Sequence, residues 1–199
     1  MTREVVVLPT GTANLASVLA AFRRLGAAPR IAAAADDVQG ASHAVLPGVG
    51  TFGATMAGLR EAGLVDAITA RLEADRPVMA TCVGLQVLFT TSEESPAATG
   101  LAVLEGRVEH FTRAVRVPQF GWNRIEPEPG CRFLQAGFAY FANSYRVQAA
   151  PGCRVAIASH GEPFVAALER GSLLATQFHA ELSGRFGHEL IARWLEGTA

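Results

Sequence analysis

A three-layer α/β fold, with a mostly parallel central sheet flanked by helices and an added antiparallel sheet region, is predicted by three observations. Short apolar runs alternate with helical stretches through the first ninety residues, the order that a parallel sheet with crossover helices requires. The runs Val5-Val6-Val7-Leu8, His43-Ala44-Val45-Leu46 and Pro77-Val78-Met79-Ala80-Thr81 lack the polar–apolar alternation of half-exposed strands, so they read as strands covered on both faces. Beyond Thr91 the texture changes to short strand-like pieces separated by turns, the pattern of antiparallel additions.

Taken in order, Val5 to Leu8 is the first strand. Pro9 to Ala13 is a turn, and Asn14 caps a helix from Leu15 to about Leu25 that Gly26 ends. Arg30 to Ala34 reads as a second strand and His43 to Leu46 as a third, stopped by Pro47. After Gly48-Val49-Gly50, helical stretches run from Thr55 to Glu61 and from Leu64 to Ala74, and the strand before Cys82 follows. Val83 to Phe89 is a short helix, and Ser92 to Pro96 a loop. The later strands are expected at Val103–Glu109, Trp122–Glu126, Phe138–Ala142, Tyr145–Val147, Val155–Ser159, Phe164–Glu169 and Leu173–Gln177. Ser183-Gly184 then leads into an amphipathic helix, Phe186 to Leu195.

Half of the 199 residues are hydrophobic, enough for a substantial core, and neither a repeat nor a linker divides the chain; residues 1–199 are expected to form a single domain. A formal net charge of -1 without a basic block excludes a nucleic-acid surface. No apolar run approaches the length that spans a bilayer. Met1-Thr2-Arg3-Glu4 is too short and too acidic for a signal peptide, and the three cysteines are odd in number and widely separated; a cytoplasmic, reduced protein is the natural reading. All seventeen basic residues are arginine, which removes a phosphate-binding lysine, a Schiff-base lysine and a pyridoxal-phosphate anchor from the candidate chemistries.

Chemistry concentrates at Ala80-Thr81-Cys82-Val83-Gly84. A cysteine at a sharp strand-to-helix turn, with small residues two places to either side, has the form of a nucleophile elbow. The following helix would point its free N–H groups at the sulfur and favour the thiolate. Such a nucleophile needs a base and an orienting acid, and Gln177-Phe178-His179-Ala180-Glu181 offers both: in an extended backbone His179 and Glu181 point to the same side. Pro47-Gly48-Val49-Gly50, also at a strand end, can present backbone N–H groups of Val49 and Gly50, with that of Val83, to an oxyanion. Gly48 to Gly53 also satisfies the dinucleotide fingerprint G-x-G-x-x-G, but it follows the third strand rather than the first. No Cys/His pair has zinc-ligand spacing, so neither a metal nor a cofactor is expected.

Pro47-Gly48-Val49-Gly50, Cys82-Val83-Gly84-Leu85-Gln86, Val117-Pro118-Gln119-Phe120-Gly121-Trp122-Asn123, Tyr140-Phe141-Ala142-Asn143-Ser144-Tyr145 and Gln177-Phe178-His179-Ala180-Glu181 occur in that order. Together they resemble the glutaminase subunits of imidazole glycerol phosphate synthase, a branch of the class I (triad) glutamine amidotransferases. The resemblance implies that Cys82 attacks the side-chain amide of L-glutamine, that His179 carries the proton to the leaving ammonia and that Glu181 orients His179. It implies Val49, Gly50 and Val83 as the oxyanion hole, with Gly50, Gln86, Asn143, Ser144 and Tyr145 lining the glutamine pocket. It also implies a heterodimer: the ammonia would pass to a (β/α)8-barrel synthase subunit, giving imidazole glycerol phosphate for histidine synthesis and an aminoimidazole carboxamide ribotide. Pro118, Gln119, Trp122 and Asn123 would face that partner. Phe120 and Trp122 suit the role independently, as aromatics in a Pro- and Gly-bounded segment of the kind that anchors interfaces.

Against the family pattern, Ala80 replaces a glycine, Ala180 a proline and Leu182 a lysine, and the N-terminal motif keeps only Gly11 and Asn14. Two other readings are a non-catalytic regulatory partner of the same fold and a stand-alone thiol hydrolase.

Overall fold

The computed structural model describes residues 3–11, 14–112 and 115–198. Its elements run β1 (Glu4–Val7), α1 (Leu15–Arg24), β2 (Ala28–Ile31), α2 (Ala35–Gly40), β3 (His43–Leu46), α3 (Phe52–Glu61), α4 (Val65–Glu73), β4 (Val78–Thr81), α5 (Val83–Gln86) and β5 (Thr91–Ser92). There follow β6 (Arg107–His110), β7 (Gln119–Pro127), β8 (Gly137–Asn143), β9 (Tyr145–Val147), β10 (Arg154–Ser159), β11 (Pro163–Arg170), β12 (Leu173–Thr176), a 3-10 turn (Ala180–Leu182) and α6 (Gly184–Gly197). Thr12 and Ala13 of the expected first turn lie outside the described residues.

Among the described residues, nine strands form one sheet in the order β2-β1-β3-β4-β12-β11-β10-β7-β8. The half from β2 to β12 is parallel; from β12 to β8 every pairing is antiparallel. The antiparallel additions thus extend the central sheet, and β5, β6 and β9 form a separate small sheet.

The inner parallel strands are buried along their length because both faces are covered, whereas edge strand β2 is largely exposed and carries Arg30. On one face Val5, Val7, Val45, Met79 and Leu174 pack with Phe22 of α1 and with Ile191 and Trp194 of α6. On the other, Val6, Ala44, Leu46, Val78 and Ala80 pack with Phe52 and Met56 of α3, Ile68 of α4 and Leu85 of α5. These are the three layers. Cys131 belongs to the first cluster and Cys153 to the second, so the sheet separates them, and both are free thiols.

Several local readings change, two of them at helices. The alanine-rich run after Ile31 turns helical rather than extending the strand to Ala34, because the Asp37 carboxylate accepts the N–H groups of Ala33 and Ala34 (2.7 and 3.2 Å) and starts α2. The helix after Cys82 is one turn, ending at Gln86 rather than Phe89. Asn14 caps α1 as expected, its side chain accepting Ser17 N–H at 3.3 Å.

Buried Arg71 of α4 ties the second layer to the sheet. Its guanidinium donates to the carbonyls of Val38, Ala41, Ser42 and Pro77 at 2.7–3.1 Å. Burial, and then the charge of Arg76, lower its pKa to about 10.

Candidate active site

Strands β3, β4 and β12 are neighbours, and their carboxyl ends deliver the three candidate segments to one edge of the sheet. Gly48-Val49-Gly50 follows β3, Cys82 follows β4, and His179 stands three residues beyond β12. Ligands collect at this edge in open α/β sheets, where the chain leaves neighbouring strands for opposite layers.

Cys82 occupies φ 53°, ψ -112°, a conformation that costs a residue with a Cβ about 1–3 kcal/mol and is held by its surroundings. Its N–H donates to the Thr176 carbonyl of β12 at 2.7 Å, and its side chain is almost fully buried. The elbow tolerates no bulk at two glycines. A Cβ on Gly84 would lie 2.0 Å from the Leu46 carbonyl oxygen, and one on Gly48 2.8 Å from the Gly84 nitrogen. Ala80, where the family pattern has glycine, puts its methyl into the core cluster with Leu46 and Leu85.

His179 and Glu181 meet as expected but on a different backbone. Residues 180–182 form the 3-10 turn rather than an extended strand, and within it Nδ1 of His179 lies 2.9 Å from Glu181 Oε1. With Nδ1–H donating to the carboxylate, Nε2 faces Cys82. Burial lowers the His179 pKa, but hydrogen bonds to Cys82 and Glu181, reinforced by their charges, outweigh it and raise the value to about 10. In the single-turn helix the Leu85 and Gln86 N–H groups turn back to the Cys82 carbonyl. Ser183, which the sequence presents as a lead-in to the last helix, instead locks this turn. Its Oγ donates to the His179 carbonyl (2.6 Å) and accepts Tyr140 N–H (3.0 Å).

A cavity of about 220 Å³ opens over the sulfur, lined by Val49, Gly50, Cys82, Val83, Gln86, Glu94, Ala142, Asn143, Ser144, Tyr145 and His179. Each residue expected in the triad, oxyanion site or glutamine pocket lines it except Glu181, which stands behind His179. Glu94 is an addition. In sequence it belongs to a polar loop, but its carboxylate accepts Phe52 N–H at 2.7 Å at the start of α3, which brings it to the cavity wall. Gln177 is a second one, fully buried behind the sulfur; its signal was an amide at the end of an otherwise apolar strand run.

Two expectations meet a different geometry. The Val83 N–H, expected to face an oxyanion, donates to the Gly48 carbonyl at 3.3 Å. Gln119, read as part of the partner-facing segment, is 5% exposed, because the β7 pleat turns it inward opposite Asn143. The outward face carries Phe120, Trp122 and, from β8, Phe138, at 70, 57 and 54% exposure; Trp122 lies edge-on to Tyr140. Pro118 is exposed, and Asn123 is half-buried with its amide donating to the Ser159 carbonyl at 2.8 Å.

A cysteine, a histidine and a carboxylate in series at the mouth of a polar cavity define a thiol-dependent acyl-transfer class, and the comparisons narrow that class. Residues 12–196 match the family model of class-I glutamine amidotransferases, and the chain belongs to that family. Solved structures share the fold: a glutamine amidotransferase superposes with a TM-score of 0.78 at 24% identity, covering 96% of this chain and 97% of its own, and PurLQS from Thermotoga maritima with 0.75 at 15%, covering 100% of both. The curated relatives are more specific. The chain is similar to imidazole glycerol phosphate synthase subunit HisH of Symbiobacterium thermophilum (39% identity, 96% of this chain and 92% of the relative). It is also similar to HisH of Salmonella typhimurium (39%, 97 and 99%) and of Mycobacterium leprae (41%, 97 and 97%). At 39–41% identity over nearly their whole length, these relatives favour a glutaminase subunit over a regulatory partner or a stand-alone hydrolase.

Proposed function

We propose that Cys82, His179 and Glu181 hydrolyse L-glutamine and that the ammonia is handed to a (β/α)8-barrel synthase subunit in a heterodimer. The observation that carries this reading is the Cys82–His179–Glu181 series opening into the 220 Å³ cavity. The Cys82 thiolate adds to the side-chain amide carbon, and the imidazolium of His179 gives its proton to the leaving nitrogen. Ammonia departs and a glutamyl thioester remains. Water, deprotonated by the now neutral His179, attacks the thioester; glutamate leaves and the sulfur is restored. In the pocket Glu94 offers a carboxylate to the substrate's ammonium, and Gln86, Asn143, Ser144 and Tyr145 offer amide, hydroxyl and backbone partners.

The oxyanion site needs a rearrangement. The Val83 N–H reaches a tetrahedral oxyanion only when the Gly48 carbonyl releases it, and Gly50, at φ 96°, is a residue without a Cβ penalty beside it. Partner binding is the event we assign to this release. The outward face of Phe120, Trp122 and Phe138, with Leu182, the last residue of the triad turn, also exposed, supplies an apolar docking surface. Ammonia transfer to the partner, imidazole glycerol phosphate formation and a cytoplasmic location follow from this reading; no helix among the described residues is long and apolar enough to cross a membrane.

The test is glutamine hydrolysis by the chain alone and with a barrel subunit and its nucleotide ligand. Hydrolysis is expected to be slow alone and stimulated in the complex; a high rate that the complex does not change refutes the partner-set oxyanion site. Cys82→Ser is expected to abolish hydrolysis. Cys131→Ser and Cys153→Ser leave it intact, since burial and then neighbouring carboxylates push the Cys131 thiol up to about 11, and burial also raises Cys153.

A further inference from the structure

We propose that Gln177 is a positioning residue for the nucleophile, whose side-chain amide holds the Cys82 sulfur as an aimed thiolate and links it to the glutamine pocket through Gln86. The inference rests on the amidotransferase reading and deepens it. Strands β4 and β12 pair in register up to Thr81 and Thr176, so the next residues, Cys82 and Gln177, stand side by side. The Gln177 backbone is pinned by its N–H to the Ala166 carbonyl at 2.8 Å, and the residue is fully buried. Its Nε2 donates to Cys82 Sγ at 3.7 Å.

Neighbouring groups settle which way the amide points. Gln86 Nε2 reaches the Tyr145 carbonyl oxygen at 3.2 Å, and a carbonyl only accepts, so Gln86 presents its NH2 group there. The same NH2 group meets Gln177 at 3.0 Å, which must therefore turn its oxygen to Gln86 and its own NH2 group to the sulfur. Asn143 Nδ2 donates to the same Tyr145 carbonyl at 2.9 Å and braces this end of the chain.

An anionic sulfur accepts a hydrogen bond more strongly than a thiol does, so the Gln177 N–H favours the thiolate before attack and again when the thioester expels it. An uncharged donor does this without competing for the proton that His179 must deliver to ammonia. Because Gln86 and Tyr145 line the cavity, the donor at the sulfur is oriented by the walls that the substrate occupies.

The test is the pH dependence of iodoacetamide alkylation at Cys82 in the full chain, read from the mass of the Cys82 peptide. In Gln177→Met the midpoint is expected to rise by about one pH unit, the size of a lost hydrogen bond to a charged group. It rises further in Gln177→Glu, which puts a carboxylate at the sulfur, and by less in Gln86→Met, which only frees the Gln177 amide to turn. With the synthase partner, kcat of Gln177→Met falls about tenfold, the size of one lost hydrogen bond to a charged group, while KM for glutamine changes less than about threefold. A purely structural role lowers the melting temperature and leaves the midpoints alone. Midpoints within about 0.2 unit of wild type in both Gln177 variants overturn the proposal. Where Gln177→Met does not fold, Gln177→Glu and Gln86→Met carry the same test. Alkylation is read without glutamine, so failure of wild type to hydrolyse glutamine counts against the amidotransferase reading alone.

Discussion

Gly84→Ala places one methyl group where the elbow has no room. The added Cβ would sit 2.0 Å from the Leu46 carbonyl oxygen and 3.0 Å from its carbon, with the Leu46 side chain at 3.5 Å. Ordinary contact needs more than 3 Å, so α5 and the end of β3 must separate by about 1 Å. Both sides of that contact belong to the site: α5 follows Cys82 directly, and β3 leads into Gly48-Val49-Gly50. A 1 Å misplacement costs about 100-fold in rate, or roughly 2.7 kcal/mol of transition-state stabilisation. Overpacking adds about 1–3 kcal/mol of lost stability, a fall in melting temperature of roughly 2–12 °C for a chain of this size. Gly40→Ala is the matched control. Gly40 ends α2 with nothing within 4 Å of an added Cβ, so the substitution is expected to be neutral or stabilising by about 0.5 kcal/mol. The assay is glutamine hydrolysis in the presence of the synthase subunit, with thermal melts of both variants. Gly84→Ala activity within about threefold of wild type, from a protein that melts normally, would refute the steric account of the elbow.

Glu181→Gln keeps the shape but removes the charge that helps hold the His179 pKa near 10; hydrolysis in the complex is expected to fall about 10- to 100-fold, and a change under twofold would count against the orienting role. Arg71→Met removes a donor from four backbone carbonyls, of which Ala41 keeps the Arg76 guanidinium and Pro77 the Ala44 N–H, and is expected to cost about 2–3 kcal/mol, read as a lowered urea midpoint; an unchanged midpoint would show that water replaces the guanidinium. His43 is buried between β3 and α6, with ring nitrogens 3.0 Å from the Ser42 and Thr198 hydroxyls. Burial, and then the charges of Arg3 and Arg71, lower its pKa to about 4. The unfolded chain then binds the proton more readily, so this stability is present above pH 6.5 and is lost as pH falls towards 4, by about 2 kcal/mol between pH 7 and pH 5. Urea unfolding at the two pH values is expected to show less of this loss in His43→Gln, and equal losses would refute the assignment.

The inner parallel strands were legible because a strand buried on both faces is apolar almost without interruption, whereas exposed edge strand β2 lies at Ala28–Ile31 rather than Arg30–Ala34. His43–Leu46 stands where expected, and the strand before Cys82 begins one residue later than its apolar run. Tyr145–Val147 also matches, whereas the strand expected from Val103 begins only at Arg107. The helix at Ala35–Gly40 escaped notice because four alanines carry no pattern and the deciding contact comes from the Asp37 side chain. The elbow cysteine and the His-x-Glu pair were legible as motifs because strained backbone and triad chemistry restrict the residue types that serve.

By itself, then, the sequence determined which strands are buried, which cysteine stands at a turn, and which acid accompanies which histidine, since these depend on periodicity and short spacing. Tertiary structure alone decided the rest. Bringing β3, β4 and β12 side by side joined segments more than thirty residues apart and set Gln177 against Cys82, while the Phe52 N–H at the start of α3 drew Glu94 into the cavity wall. It also turned Gln119 inward and directed the Val83 N–H to Gly48, outcomes set by pleat and peptide orientation rather than by residue type. Hydrogen bonds act over about 3 Å, and positions at that range are fixed only once the sheet has assembled.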